Sequence, residues 1–237
     1  MRLAYFEYKG KKSTDFGIMI SEEFKHESPG YDVEFFKIDG TDGELAMTDS
    51  TLKNYSKNFP IILEDTTQEN VNSISEWLKS DLGWYELSLS SDPNYIYIAM
   101  FNDEYQLGSS SVDYEKTILP FTCKPIKYLK SSMTEMQLAG SINNPTNRKA
   151  KPKMIIKGAG NITVNIGKSE LTLKNIADGV IVDSLNQTIT NLSGTQAQFD
   201  KMTSYPFPEI APGNNVVTKS GTITSINIVP RWEVVAT

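Results

Sequence analysis

Tyr85-Glu86-Leu87-Ser88-Leu89-Ser90-Ser91-Asp92-Pro93-Asn94-Tyr95-Ile96-Tyr97-Ile98-Ala99-Met100-Phe101 is the stretch that sets the fold class. Tyr85, Leu87 and Leu89 alternate with Glu86, Ser88 and Ser90, the period of two expected of a strand with one face in a core. Ser91-Asp92-Pro93-Asn94 is turn chemistry. Tyr95–Phe101 is apolar on both faces, which predicts a central strand. Upstream, Leu3–Tyr8 and Phe16–Ile20 flank Lys9-Gly10-Lys11-Lys12 and predict an N-terminal hairpin.

One helix interrupts this pattern. Thr66 and Glu69 have capping-box spacing, Val71, Ile74, Leu78 and Leu82 recur at helical steps, and Gly83 stands where a C-terminal cap belongs. Trp77 lies beside the apolar stripe and is expected to pack on the sheet.

Beyond residue 130 the composition changes. Of the 24 aromatic residues, all but Phe199, Tyr205, Phe207 and Trp232 precede that point. Residues 1–130 carry 13 Lys/Arg against 22 Asp/Glu, a balance of −9, and residues 131–237 carry 10 against 7, a balance of +3. Two coincident shifts predict a domain boundary near residue 130, with Lys130-Ser131-Ser132 as the crossover. The second part reads as short strands: Ile162, Val164 and Ile166, then Val180–Val182, Thr188–Leu192, Ile223–Val229 and Trp232–Val235. That spacing predicts a β-sandwich of jelly-roll type. Asn143-Asn144-Pro145-Thr146-Asn147 is expected to be a loop.

The sequence holds no set of residues that would do chemistry. His26 is the sole histidine, between Lys25 and Glu27 on a charged segment, so a nucleophile–His–acid triad has nothing else to use. Cys123 is the sole cysteine; no intrachain disulfide can form, and a buried small hydrophobe is the better reading of it. Zinc would need about four nitrogen or sulfur ligands. Asp39-Gly40-Thr41-Asp42-Gly43-Glu44 lacks the alternating ligands of a calcium loop. Gly158-Ala159-Gly160 is too short for a dinucleotide fingerprint. No catalytic, metal or cofactor residue is therefore assigned. The acidic first part is unsuited to gripping a nucleic-acid backbone. Glu7 and Lys9 break up the start of the chain, so no signal peptide is expected, nor any membrane span, and the sequons at Asn54, Asn161, Asn186 and Asn191 are read as chance.

The order of features carries a resemblance. The hairpin is followed by Phe35-Phe36-Lys37-Ile38-Asp39-Gly40-Thr41-Asp42-Gly43-Glu44-Leu45, then Phe59-Pro60-Ile61-Ile62-Leu63, the capped helix and a Trp-led strand hairpin. This resembles the N-terminal domain of the siphophage distal tail protein (Dit) family of phages infecting Gram-positive bacteria, whose Gly-x-Asp-Gly-x-Leu element is matched by Gly40, Asp42, Gly43 and Leu45. Phe207-Pro208-Glu209-Ile210-Ala211-Pro212-Gly213-Asn214-Asn215 resembles the family's Pro-Gly-x-Asn turn, and Pro230-Arg231-Trp232 its closing strand.

The resemblance implies a mainly β fold. An N-terminal β-sandwich or split-barrel-like domain with one α-helix, residues 1–130, forms a ring. A C-terminal galectin-like (jelly-roll) β-sandwich, residues 131–237, lies outside it. It implies a structural virion protein, not an enzyme and without cofactor, made in the host bacterial cytoplasm and residing at the phage tail tip. Its partners would be five further copies of itself in a homo-hexamer, the tail tube protein, a tail-tip or tail-associated protein, and receptor-binding or baseplate proteins. DNA would pass without specific binding, and no membrane is engaged. Ile38, Asp39, Gly40, Asp42, Gly43 and Leu45 are then the candidate inter-subunit interface. Asp39, Asp42 and Glu44 are candidates to face the channel, where carboxylates would repel passing phosphates. The rival readings are a carbohydrate-binding module for host-surface adhesion and a tail-associated hydrolase. Against the first, Trp232 alternates with Val234 and is expected in the core, leaving no Trp platform for a sugar.

Overall fold

A computed structural model describes residues 4–21, 25–107 and 114–237. The chain divides into two compact units, residues 1–127 with 235–237, and residues 128–234. Leu3, expected at the start of the first strand, lies outside the described residues.

The first unit contains β1 (Phe6–Tyr8), β2 (Lys11–Lys12), a 3-10 turn (Ser13–Phe16), β3 (Ile18–Ile20), β4 (Glu34–Lys37), β5 (Glu44–Met47), β6 (Tyr55–Leu63), α1 (Gln68–Lys79), β7 (Tyr85–Leu89), β8 (Asp92–Met100), β9 (Glu115–Cys123) and the start of β10 (Ile126–Leu129). Its main sheet runs β2-β1-β7-β8-β9-β6-β3. A bridge from Ala4 to Ile20 brings the start of the chain to the far strand, so the sheet curls into a half-barrel. β8 is central, as its two apolar faces predict. The β7–β8 turn is shorter than expected: Leu89 pairs with Asp92, and Pro93, Asn94 and Tyr95 fall in a bulge before Ser88 meets Ile96. A bulge is where a strand tolerates a proline, which has no N–H to donate.

The N-terminal hairpin differs from expectation. Lys9-Gly10 turns β1 into β2, but Ile18–Ile20 pairs with β6. The 3-10 turn diverts the chain, and the buried Ser13 hydroxyl holds it by accepting from Phe6 N–H and donating to the Ile18 carbonyl. The helix also starts one residue later than read: Thr67 is the N-cap and accepts from Asn70 N–H, while the Asn70 amide donates to the Phe16 and Asp65 carbonyls at 2.9 and 2.8 Å. It stops at Lys79 with Ser80 as its cap, leaving Leu82 74% exposed. Gly83 is therefore no helix cap; a Cβ there would lie 2.9 Å from the Tyr85 ring.

The core of this unit is aromatic. Trp77 stacks on Phe16 and Phe6, with centroids 4.4 and 5.8 Å away, and donates its indole N–H to the Tyr8 carbonyl. Phe6, Phe59 and Phe121 complete the cluster. That cluster takes up part of the aromatic excess of residues 1–130; Tyr31, Phe35, Phe36, Trp84 and Tyr114 are exposed instead.

The second unit holds the rest of β10, a 3-10 turn (Lys130–Ser132), β11 (Met136–Gln137), β12 (Ser141–Asn144), β13 (Lys153–Ile166), β14 (Ser169–Ile176), β15 (Gly179–Asp183), β16 (Thr188–Thr190), a 3-10 turn (Phe199–Lys201), β17 (Gly213–Val229) and most of β18 (Glu233–Val235). It is a sandwich, though not of short strands only: β13 and β17 have 14 and 17 residues. They bend by register shifts after Lys157 and Ala159, so each serves more than one set of neighbours. Gly158-Ala159-Gly160 is this bulge. A Cβ on Gly158 would meet the Thr222 carbonyl at 2.3 Å, and one on Gly221 the Asn161 carbonyl at 2.2 Å. The core is aliphatic apart from Trp232, which is buried.

Two expectations change here. Asn143 and Asn144 belong to β12, because the buried Asn144 amide bridges the Arg148 and Ile210 carbonyls at 2.8 and 3.1 Å. Residues 235–237 belong to the first unit: Ala236 is fully buried there, and the Thr237 carbonyl accepts from Lys57 Nζ and Tyr97 O–H.

Candidate functional site

Residues 30–53 form an arm on the first unit. β4 and β5 pair only with each other, in a two-stranded sheet separate from the main one. Its base is tied by a Tyr31–Leu52 bridge, by Asp32 N–H to the Thr51 carbonyl, and by a 2.8 Å ion pair between Lys53 and Asp32. Asp49 accepts from Thr51 N–H and O–H, and those hydrogen bonds hold its acid below the ordinary value. At the tip, Thr41 donates N–H and O–H to the Ile38 carbonyl. Gly40 and Gly43 take φ of 81° and 86°, which a side chain would strain. Nothing lies near their Cα atoms, so glycine serves the turn here, not close packing.

The register defines two faces. Glu34 pairs with Met47 and Phe36 with Leu45, so Phe36, Leu45, Met47 and Glu34 share one face. Phe35, Ala46, Lys37 and Glu44 share the other. All eight strand residues are exposed, Phe35 at 63%, Met47 at 57% and Leu45 at 53%. Monomeric surfaces seldom leave such a group uncovered.

Every candidate interface and channel residue named from the sequence lies on this arm. Ile38, Asp39, Gly40, Asp42, Gly43 and Leu45 gather at and beside its tip, and Asp39, Asp42 and Glu44 are exposed there. The sequence reading missed Phe36 and Met47, which complete the apolar face. The alternation of β4 and β5 could have paired them, but nothing local tells an apolar residue bound for a core from one bound for a surface.

Cys123 is fully buried, and burial pushes its thiol up to about 12. His26 is exposed on its segment. Among the described residues, no three His, Cys, Asp or Glu side chains are placed to hold a metal ion. No helix among them is long and apolar enough to cross a membrane. In the second unit an open cleft of about 1090 Å³ is lined by Lys168, Glu170, Ser204, Tyr205, Phe207 and Asn214, with Tyr205 83% exposed.

No family model matches the chain, and no curated protein matches it by sequence. The solved structures do. The Dit protein of SPP1, described as a paradigm of the hub adsorption apparatus in phages infecting Gram-positive bacteria, is similar over 99% of this chain and 100% of its own. The two superpose with a TM-score of 0.70 at 17% identity. The chain has the Dit fold. At that identity few side chains are shared, so the Dit fold is held by pattern: a curled sheet with one helix, followed by a sandwich. The match spans both units.

Proposed function

We propose that the chain is a structural virion protein, a distal tail protein that forms a ring, as a hexamer, at a phage tail tip. There it joins the tail tube to tip, receptor-binding or baseplate components and lets DNA pass. The reading makes it a non-enzymatic protein of the virion. The Dit fold across the whole chain supports the tail role. The observation that carries assembly is the arm: an isolated two-stranded hairpin with Phe36, Leu45 and Met47 exposed on one face is marginally stable at best in water by itself. In the proposed ring, residues 1–130 make the subunit contacts, and residues 131–237 are the module to which further parts attach. Ile38, Asp39, Gly40, Asp42, Gly43 and Leu45 sit in the contact, with Asp39, Asp42 and Glu44 turned to the bore.

Light scattering and native mass spectrometry of the purified chain test this. A closed ring of uniform size, at micromolar concentration or on mixing with tail-tube protein, is the expected result. A monomer under both conditions, together with tail particles lacking a ring of this protein, would overturn it.

The cleft beside Tyr205 favours a second reading, a carbohydrate-binding module. Trp232 is buried and offers no platform, whereas the Tyr205 ring can stack on a sugar while Glu170, Lys168 and Asn214 reach its hydroxyls. Glycan-array binding that Tyr205→Ala abolishes without unfolding the chain would establish it; an empty array would remove it.

A further inference from the structure

We propose that the outer face of strands β6 and β9, centred on Pro60, Ile62 and Ile118, is the seat on which a second copy of this chain lays the apolar face of its arm. The inference rests on the ring reading and says where in the ring each arm goes.

The register isolates this face. β6 and β9 are antiparallel, with Pro60 opposite Ile118 and Ile62 opposite Lys116. Phe59, Ile61 and Leu63 on one strand, and Leu119 and Phe121 on the other, point into the core. Strand alternation therefore sends Pro60, Ile62, Lys116 and Ile118 to the opposite side. Met19 of β3 lies opposite Ile62 and extends the row. Ile118 is 55% exposed, and a shallow hollow of about 500 Å³ opens among Ile62, Glu64, Tyr114 and Lys116.

Ring geometry demands such a face. A cyclic interface is heterologous, so each subunit must present two different patches, one given and one received. The arm is the first. Outside it, the exposed large apolar side chains described in the first unit are Leu82, Trp84, Tyr114 and Ile118. Leu82 and Trp84 lie in the link after α1, and Trp84 already has the Lys124 ammonium 5.0 Å from its ring. Tyr114, just before β9, lines the hollow, and Ile118 lies on β9 two residues beyond Lys116 of its lining.

The two patches match in chemistry. The arm offers Phe36, Leu45 and Met47 with Glu34 beside them; the seat offers Pro60, Ile62 and Ile118 with Lys116 beside them. The arm as a whole carries Asp32, Glu34, Asp39, Asp42, Glu44 and Asp49 against Lys37 and Lys53, so Lys116 favours the edge that bears Glu34, while Glu64 across the hollow disfavours placing an arm carboxylate there and so selects the orientation. Reach is sufficient: from Tyr31 to the tip, at roughly 3.3 Å per residue, the arm spans about 30 Å.

The test uses two full-length variants, Phe36→Asp, which spoils the arm, and Ile118→Asp, which spoils the seat. Both positions are exposed, and circular dichroism checks that each variant folds. Native mass spectrometry should show rings for the unaltered chain and monomers for each variant alone. Raised well above the concentration at which the unaltered chain forms rings, an equimolar mixture should give heterodimers and nothing larger, because one intact arm meets one intact seat and the remaining pair are both spoiled. Rings from Ile118→Asp, or a mixture that stays monomeric even at that raised concentration, would overturn the seat and leave the ring reading standing. An unaltered chain that never assembles would remove both. Ile118→Thr, which keeps strand preference, should retain rings at higher concentration; full loss there with intact fold would also count against a simple apolar seat.

Discussion

Removing Asp183 should unfold the second unit far more readily than its place near a strand end suggests. The Asp183 carboxylate takes both arms of the Arg231 guanidinium, at 2.6 and 3.0 Å, and also accepts from the N–H groups of Leu185 and Asn186 and from the Asn186 amide. The side chains of the pair are 14% and 11% exposed. Asp183→Ala leaves a nearly buried guanidinium without its counter-charge and two backbone donors without their acceptor. Breaking a buried pair from one side costs about 3–5 kcal/mol, and each orphaned donor adds about 1–3 kcal/mol unless water reaches it. Arg231→Met should cost less, about 2–3 kcal/mol, because the carboxylate keeps three donors and can also take up a proton. Replacing both, as Asp183→Leu with Arg231→Met, should recover much of the loss, since no charge is then stranded.

Hydrogen exchange is the assay of choice, because two units need not unfold as one and a single melting curve would mix them. The amides of Met154, Ile156, Val180 and Val182 report the second core, and those of Phe59, Ile61 and Leu119 serve as the unaffected control. Burial by itself would raise the Asp183 acid, but the hydrogen bonds and charge of Arg231, with Asn186, more than reverse this and leave it below its ordinary value. Its contribution is thus fully present above the unfolded carboxyl value and is lost as pH falls through the folded one. The deficit of Asp183→Ala should shrink in that acid range. A deficit under about 1 kcal/mol at neutral pH, or one that does not change on acidification, would refute the reasoning.

Burial raises the Glu233 acid, with Lys151 and Arg148 pulling it partly back. The charged form is therefore disfavoured by folding, so Glu233→Gln should raise the melting temperature at neutral pH, and the gain should vanish once the unfolded carboxyl is also protonated. The Cys123 thiol, buried and held at about 12, should resist maleimide at pH near 8 until the chain unfolds; fast labelling of the native protein would contradict its placement. Asp39→Lys, Asp42→Lys and Glu44→Lys together should slow DNA ejection from virions at low salt, with recovery at high salt, if these residues face the bore; unchanged ejection would place them elsewhere.

Local pattern and distant pairing were unequally legible in the sequence. Alternation located β7, and the helical stripe placed Trp77 against the sheet. Both are decided within a few residues. The pairing of Ile18–Ile20 was not, because its partner lies some forty residues on in β6 and the nearer β1 looked equally suitable. Thr66 and Thr67 both satisfy a rule of composition; the choice falls to Thr67 because Asn70 is needed to hold the Phe16 carbonyl. Leu82 fits the stripe, yet the helix has ended, and Lys9 Nζ holds Ser80 and Asp81 at 3.1 and 2.7 Å where the chain turns away. In the second unit Gly158-Ala159-Gly160 reads only as too short for a dinucleotide fingerprint and the strand is read from Ile162 on, when these residues let one strand bend and continue. At the arm the glycines marked the tip. Its apolar face was hidden because Phe36 and Met47 look like core residues until the fold leaves them outside.

The arm also bears on how assembly proceeds. Its strands are four residues each, and the ties within it are a few hydrogen bonds and one exposed ion pair, which is worth little in water. Docking must therefore meet the cost of ordering the arm, which weakens any single arm-to-seat contact. A ring escapes this weakness when it closes. The last arm and the last seat already belong to one assembly, so they meet at a high effective concentration and close without a further loss of translational freedom. In the proposed ring, open chains of two to five copies are then poorly populated, and a dilution series should pass from full rings to monomers with little between. Shortening the arm from its tip should raise the concentration needed for rings without stabilising intermediates, because every contact weakens alike. Native mass spectra rich in dimers and trimers across the series would mean that a single contact is strong on its own, and that ring closure is not what makes assembly cooperative.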